Sequence, residues 1–291
     1  MRAPFTEIVD YAGLFPPAAC SMADAVRQYD VYRRSEDRWM LGRFVVASIR
    51  LEELGEALSA GGFVLDPGDP WLLTVVMGAV IPVELERIAA FDARWGTRGV
   101  VTDSIEYRVG SVGEVVAVAE QIPHRFRRYF EVPQVGPYDA LVAAIGGTGA
   151  LAKIRTGGMS AELFPDASEL ARFLVAVVKH RVPFKATAGL HHPFRGSYPL
   201  SYAHDAPRQV MYGFVNLLVA TTELLRGGKR ATAQAILEES RRNAFAWHDK
   251  GIDWGDEQYT EAELAAAHQQ LFIGFGSCSF REPVDELSLV G

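Results

Sequence analysis

Only five lysines, Lys153, Lys179, Lys185, Lys229 and Lys250, occur in this chain of 291 residues, against 24 arginines. Arginine therefore carries the surface positive charge, and a lysine inside an apolar stretch needs its own reason. Two of the five lie in such stretches, LAKIR and PFKATA. A charged side chain there costs several kcal/mol unless it faces a polar pocket. Lys153 and Lys185 are 32 residues apart, one strand-helix-strand unit, which predicts adjacent strands and a similar height. Two ammonium groups that close each favour the other's neutral form, and burial favours it for both. A neutral amine attacks carbonyl carbon and forms a Schiff base. The alternatives for either lysine are a structural ion pair with a buried carboxylate or a stem that snorkels out between helices. Glu131 sits among apolar residues in YFEVP, as a general acid or base facing a pocket would, or as a carboxylate paired with a buried arginine would. His191 and His192, with His204 and Asp205 shortly after, allow a metal-binding reading. Adjacent residues in extended chain point opposite ways, so the two imidazoles are expected to make hydrogen bonds or touch substrate, and no metal is expected.

Positioning such groups requires strands that end at one shared rim. Eight β-rich runs alternate with helical stretches: Glu7–Leu14, Arg43–Ile49, Trp71–Gly78, Gly99–Tyr107, Arg128–Val132, Leu151–Arg155, Pro183–Ala188 and Phe272–Gly276. Alternation of this kind is the signature of a parallel sheet with crossover helices. Asp166 with Glu169 and Ser111 with Glu114 read as helix starts, Pro82 and Pro137 as first-turn prolines, and Gly227-Gly228 as a helix stop after a stripe running from Met211 to Leu225. GGTG at Gly146–Gly149 lies between a helix and a strand, the wrong end for phosphate, and reads as a helix stop; no nucleotide-binding glycine turn follows the first strand. Seven strands are closely spaced, but about 80 residues separate the seventh from the eighth. Residues 193–209 read as a loop and 229–270 as two helices around a Trp-rich turn. The expected fold is α/β, a single (β/α)₈ TIM barrel over 1–291 with an elaborated helical insertion, 193–270, between strands 7 and 8.

Composition narrows the function classes. A net charge of −7 argues against an electrostatic grip on nucleic acid or an anionic membrane, both of which need a concentrated positive face. The longest apolar run, Trp71 to Val83, carries Thr74 and Pro82 and is too short to span a bilayer. Cys20 and Cys278 are too few for a disulfide framework, and the opening MRAPFTEIVD lacks the apolar stretch of a secretory signal, so a cytoplasmic protein is expected. Cys278 reads as a buried thiol.

Four short patches spread along the chain resemble the deoxyribose-phosphate aldolase family: KIRTGG at Lys153–Gly158, FKATAGL at Phe184–Leu190, the opening IVDYAGLFPPA, and FGSCSF near the end. The resemblance implies a class I aldolase-like lyase in which Lys153 forms the Schiff base and Lys185 assists it. It matches Asp10 to the acid of the first strand. It also implies an acid on the fourth strand, either Asp103 or Glu106, since strand alternation keeps both from facing inward. Two departures bear on the substrate. Arg155 replaces a small hydroxyl residue and by alternation shares a face with Lys153, implying an anionic group. The turn after the seventh strand runs AGLHHPFR, where Pro193 supplies no N–H for a phosphate. Arg155, Arg50, His191, His192, Arg195 and Ser277 are accordingly expected to contact a small anionic carbonyl substrate, with no cofactor, and the insertion is expected to cover the barrel mouth or join copies in a homo-oligomer. A non-catalytic binding or regulatory barrel, and a metal-assisted lyase or hydrolase at the His191-His192 loop, are the other readings.

Overall fold

In the computed structural model, which describes residues 1–289, seven strands and six helices alternate without interruption. They are β1 (Val9–Tyr11), α1 (Met22–Arg33), β2 (Leu41–Ala47), α2 (Leu51–Gly61), β3 (Trp71–Val76), α3 (Ile81–Trp95), β4 (Val100–Arg108), α4 (Val112–Gln121), β5 (Arg127–Glu131), α5 (Tyr138–Gly147), β6 (Leu151–Arg155), α6 (Ala167–His180) and β7 (Phe184–Thr187). The insertion then supplies β8 (Gly196–Pro199), β9 (Arg208–Met211), α7 (Phe214–Leu225), α8 (Arg230–Glu238), β10 (Phe245–His248), β11 (Gly251–Trp254), β12 (Glu257–Thr260) and α9 (Glu261–Gln270). The chain finishes with β13 (Phe272–Ser277) and α10 (Arg281–Ser288). The eight strands β1 to β7 and β13 pair in parallel and close into a barrel, with β13 between β7 and β1.

The outward strand faces meet the helices through large side chains. Tyr11, Phe44 and Trp71 pack around Tyr29 of α1, and Phe184 lies against Phe173 of α6. Helix ends follow the side chains available to satisfy their free backbone groups. Asp166 accepts from the Glu169 N–H at 2.8 Å, Ser111 accepts from the Glu114 N–H at 3.2 Å, and Pro82 occupies the first turn of α3. Pro137 stands one place earlier than expected, before the first turn of α5. The Arg128 guanidinium, buried on the outward face of β5, donates to Ala119 O and Thr148 O near the ends of α4 and α5, where a cation suits free carbonyls.

The insertion departs from its expected helical character. Residues 196–211 form an antiparallel hairpin, β8 with β9, and the Trp-rich segment is a three-stranded antiparallel sheet, β10-β11-β12. Phe245 and Trp247, then Ile252 and Trp254, recur at every second position, and Asp249-Lys250 and Gly255-Asp256 supply the turns. This is strand periodicity, which two flanking helical patterns obscure. Met211 belongs to β9, and the helix it was expected to open begins at Phe214. That helix, α7, is buried on nearly every side because α8 and α9 cover it. Its Asn216 amide donates to Ile236 O and Glu239 O, as a buried polar group must.

Candidate active site

Six charged side chains of alternating sign form one connected row inside the barrel. The Lys185 ammonium lies 2.5 Å from Asp10 and 2.7 Å from Glu106. Lys153 lies 2.5 Å from the other Glu106 oxygen and 2.7 Å from Glu131, and Glu131 meets Arg108 at 3.0 Å. Strand register produces this order: Arg108, Glu131, Lys153 and Lys185 are successive partners across β4, β5, β6 and β7. The predicted adjacency of the two lysines is thus present. The row runs from Asp10 and Lys185, 8 % and 2 % exposed, to Arg108 at the rim, 74 % exposed. Glu106, Glu131, Lys153 and Lys185 all border a cavity of about 1310 Å³ at the carboxyl ends of the strands. The glycines of the two lysine-bearing segments pack together there: a Cβ on Gly157 would come within 3.0 Å of the Gly189 Cα, and Gly189 itself adopts a left-handed φ of +69°.

The ion pairs correct the expectation of two amines that repel one another directly. Glu106 stands between them and offers one oxygen to each. Burial opposes the charge on Lys185, but Asp10 and Glu106 outweigh it and hold its pKa above the ordinary lysine range. Burial likewise favours a neutral Glu106, yet the two ammonium groups bring its carboxyl down to about 2. Glu131 is lowered in the same way by Lys153, against its own burial.

A second correction concerns β4. Leu73 pairs with Thr102 and Thr74 with Ser104, so Asp103 is an extra residue, a β-bulge. The bulge resets the alternation, and Asp103 and Glu106 both face inward. Asp103 lies below the cavity, bound to Arg43, whose backbone N–H donates to Asp10 at 2.8 Å. It therefore supports the floor and does not border the cavity.

Because the Glu106 pKa is about 2 in the fold against an ordinary 4.5, its stabilisation is complete above about pH 4.5 and is lost as the pH falls toward 2. On the order of 3 kcal/mol is expected from this group. Urea midpoints should fall most steeply between about pH 4 and about pH 2.5; a midpoint that stays flat across that interval would contradict the buried pairing.

The proposed substrate contacts divide. Arg155 borders the cavity, one inward position beyond Lys153 on β6, and makes no ion pair with any described residue. His191 and His192 also border it. Arg50 does not: as the residue before α2 it reaches along the first turn and binds Glu53 through two contacts, 2.7 and 2.9 Å. Arg195 lines a separate cavity of about 450 Å³ with Asp166, Tyr212 and Glu238, because the chain has already turned away toward β8. Ser277 has the outward parity of β13 beside Gly276, and its hydroxyl donates to Ser279 O at 2.6 Å and lies 3.0 Å from His191 Nδ1. It positions that ring and does not reach the cavity.

The two histidines are held by different partners. His192 lies 2.7 Å from Glu286 and stacks on Tyr198 at 3.5 Å, whereas His191 faces Ser277 and lies 3.5 Å from Glu282. Among the described residues no group of three His, Cys, Asp or Glu is arranged to hold a metal. Burial, then the neighbouring His192, lowers the His191 pKa from 6.5 to about 4. Its neutral form stabilises the fold fully above about pH 6.5, and that contribution is lost as the pH falls through 4. Its ring protons should titrate near pH 4 in an NMR pH series; a midpoint near 6.5 would place the ring in solvent.

Several residues of the site carry no local signal. Arg108 has a register partner in Glu131 that only the sheet defines. Tyr202 and Leu200 come from the β8–β9 hairpin, and Glu282 from α10. Cys278 is buried, with a thiol pKa pushed up to about 11 by that burial, which fits its reading as an unreactive thiol. The rest of the insertion, 214–270, does not border the cavity. It packs on the flank, where Trp247 stacks on Phe5 and His268 bonds Thr6 O, so only the hairpin edges the mouth. No helix among the described residues is long and apolar enough to cross a membrane. Compared with known proteins, the chain matches no family model, and no curated protein is similar enough to count as a relative.

Proposed function

We propose that this barrel is a class I aldolase-like carbon–carbon lyase in which Lys153 condenses with the carbonyl group of a small anionic substrate. The observation that carries the reading is the setting of Lys153: its ammonium borders the cavity between two carboxylates, two residues before an arginine that makes no ion pair with any described residue. The resemblance of KIRTGG and FKATAGL to the deoxyribose-phosphate aldolase segments supports it further.

Lys153 first passes a proton to Glu131 or Glu106, both within hydrogen-bond reach. Its lone pair then attacks the carbonyl carbon; the oxygen leaves as water after taking up two protons, one of them returned by the carboxylate, and a protonated imine remains. Removal of the substrate's β-hydroxyl proton lets the Cα–Cβ electrons flow into that imine, releasing an aldehyde and leaving an enamine. Protonation at carbon and addition of water restore the lysine and free the second product. Lys185, fixed as a cation by Asp10 and Glu106, supplies positive potential at the floor and is not the nucleophile.

Borohydride added with a panel of aldehydes and oxo acids should label Lys153 permanently, with the site read by peptide mass spectrometry. Absence of label at Lys153 across the panel would overturn the assignment. The completeness of the ion pairing favours one second reading, a non-catalytic barrel that binds a carbonyl compound, and such a protein would bind without any reducible adduct.

A further inference from the structure

The cavity above Lys153 is larger and more apolar than a small sugar phosphate requires. Its volume of about 1310 Å³ exceeds the roughly 300–1,000 Å³ usual for small-molecule sites. Phe15, Met77, Val132, Met159, Leu163 and Leu200 contribute to its wall. Met159 and Leu163, on the segment after β6, remain 46 % and 37 % exposed. Large apolar side chains left open at a concave site are usually covered by a ligand. Polar side chains line the cavity too, Gln134, Thr187, Ser201 and Tyr202 among them, so the apolar surface accounts for one part of the ligand and leaves room for a polar part.

The charge is equally selective. Asp10, Lys185, Glu106, Lys153, Glu131 and Arg108 neutralise one another in sequence, so Arg155, which adds to the positive field at Glu131 but makes no ion pair with any described residue, is left as an extra cation beside the nucleophile. Its planar guanidinium suits a carboxylate through two parallel hydrogen bonds. Along β6 it stands two residues from Lys153, about 7 Å of strand, so the anion belongs close to the carbonyl and the apolar part extends away from both.

We infer that the substrate is an oxo acid with a bulky apolar substituent: its carboxylate on Arg155, its carbonyl at Lys153, and its substituent, of aryl or branched-alkyl size, against Met159, Leu163 and Leu200. The carbonyl assignment rests on the Schiff-base reading; recognition of the carboxylate and the apolar group does not.

Two experiments separate those parts. In the first, borohydride trapping compares 4-phenyl-2-oxobutanoate with pyruvate, 3-phenylpropanal and glyceraldehyde 3-phosphate. Half-maximal labelling of Lys153 should need at least about tenfold less of the phenyl oxo acid than of pyruvate, because burying an aryl group adds affinity. Arg155→Gln should raise the half-maximal concentration about tenfold or more for the phenyl oxo acid and by less than about threefold for 3-phenylpropanal, which has no carboxylate to lose. Equal or better labelling by pyruvate or by the sugar phosphate overturns the substrate class and leaves the Schiff base standing. In the second, 4-phenylbutanoate, which has no carbonyl to react, is titrated by calorimetry. Binding weakened by Arg155→Gln and by Leu163→Asp supports the inference even where no lysine is labelled; no binding, or binding indifferent to both changes, overturns it.

Discussion

Lys153→Arg should give a folded barrel that forms no borohydride-reducible adduct with any carbonyl compound and has lost at least about 10³-fold of the proposed lyase turnover. Arginine keeps a cation between Glu106 and Glu131, so the alternating row survives, but a guanidinium does not shed its proton in this pH range and cannot act as the nucleophile. The larger head must be accommodated beside two buried carboxylates, at a cost of about 1–3 kcal/mol from overpacking. The variant should still unfold cooperatively and show the wild-type far-ultraviolet spectrum. Peptide mass spectrometry after trapping checks the result. Label that persists in Lys153→Arg, for instance on Lys185, would mean that the deeper amine reacts and that the roles of the two lysines are reversed.

Glu106→Gln should destabilise the protein by about 3–5 kcal/mol, the cost of removing one member from a buried ion-pair network. Glu106 is 3 % exposed and serves both lysines, 2.5 Å from one and 2.7 Å from the other. A neutral amide returns no charge to either, leaving Lys185 with Asp10 alone and Lys153 with Glu131 alone. Two like charges then face one another across the gap. Urea unfolding at neutral pH measures the loss, and an unchanged denaturant slope would show that the folded state alone is affected. Labelling of Lys153 should also slow, since one of its two proton acceptors is gone. A stability loss under about 1 kcal/mol would mean that water reaches the pair and that the carboxylate is not holding the floor together.

The two lysines were legible because a buried strand tolerates few reasons for a charge, and because 32 residues is the length of one βα repeat. The matching of Glu131 to Lys153 was half legible: a carboxylate inside YFEVP had to meet a cation, but which one depends on register. Asp103 and Glu106 were misjudged as mutually exclusive because alternation assumes a regular strand, and the bulge at Asp103 exists only through the pairing of β3 with β4. The histidine pair reads as two rings that make hydrogen bonds or touch substrate, and Glu286 and Ser277 hold them, but only the fold supplies those partners. The Trp-rich insertion was misjudged for a different reason, since short strands of four residues carry little periodicity beside the helices that flank them.

What this chain determined by its sequence is local: eight strand-forming runs, the caps and stops of most helices between them, and lysines in the sixth and seventh strands that had to face something polar. Hydrophobic period and capping chemistry act within a few residues, and so can be read along the chain. What tertiary structure alone decided is which charges meet. Asp10 and Lys185 are 175 residues apart and touch only because β13 closes the ring between β1 and β7. Ion pairing is set by distance in space, and closure of the barrel, with its bulge and register, fixes those distances.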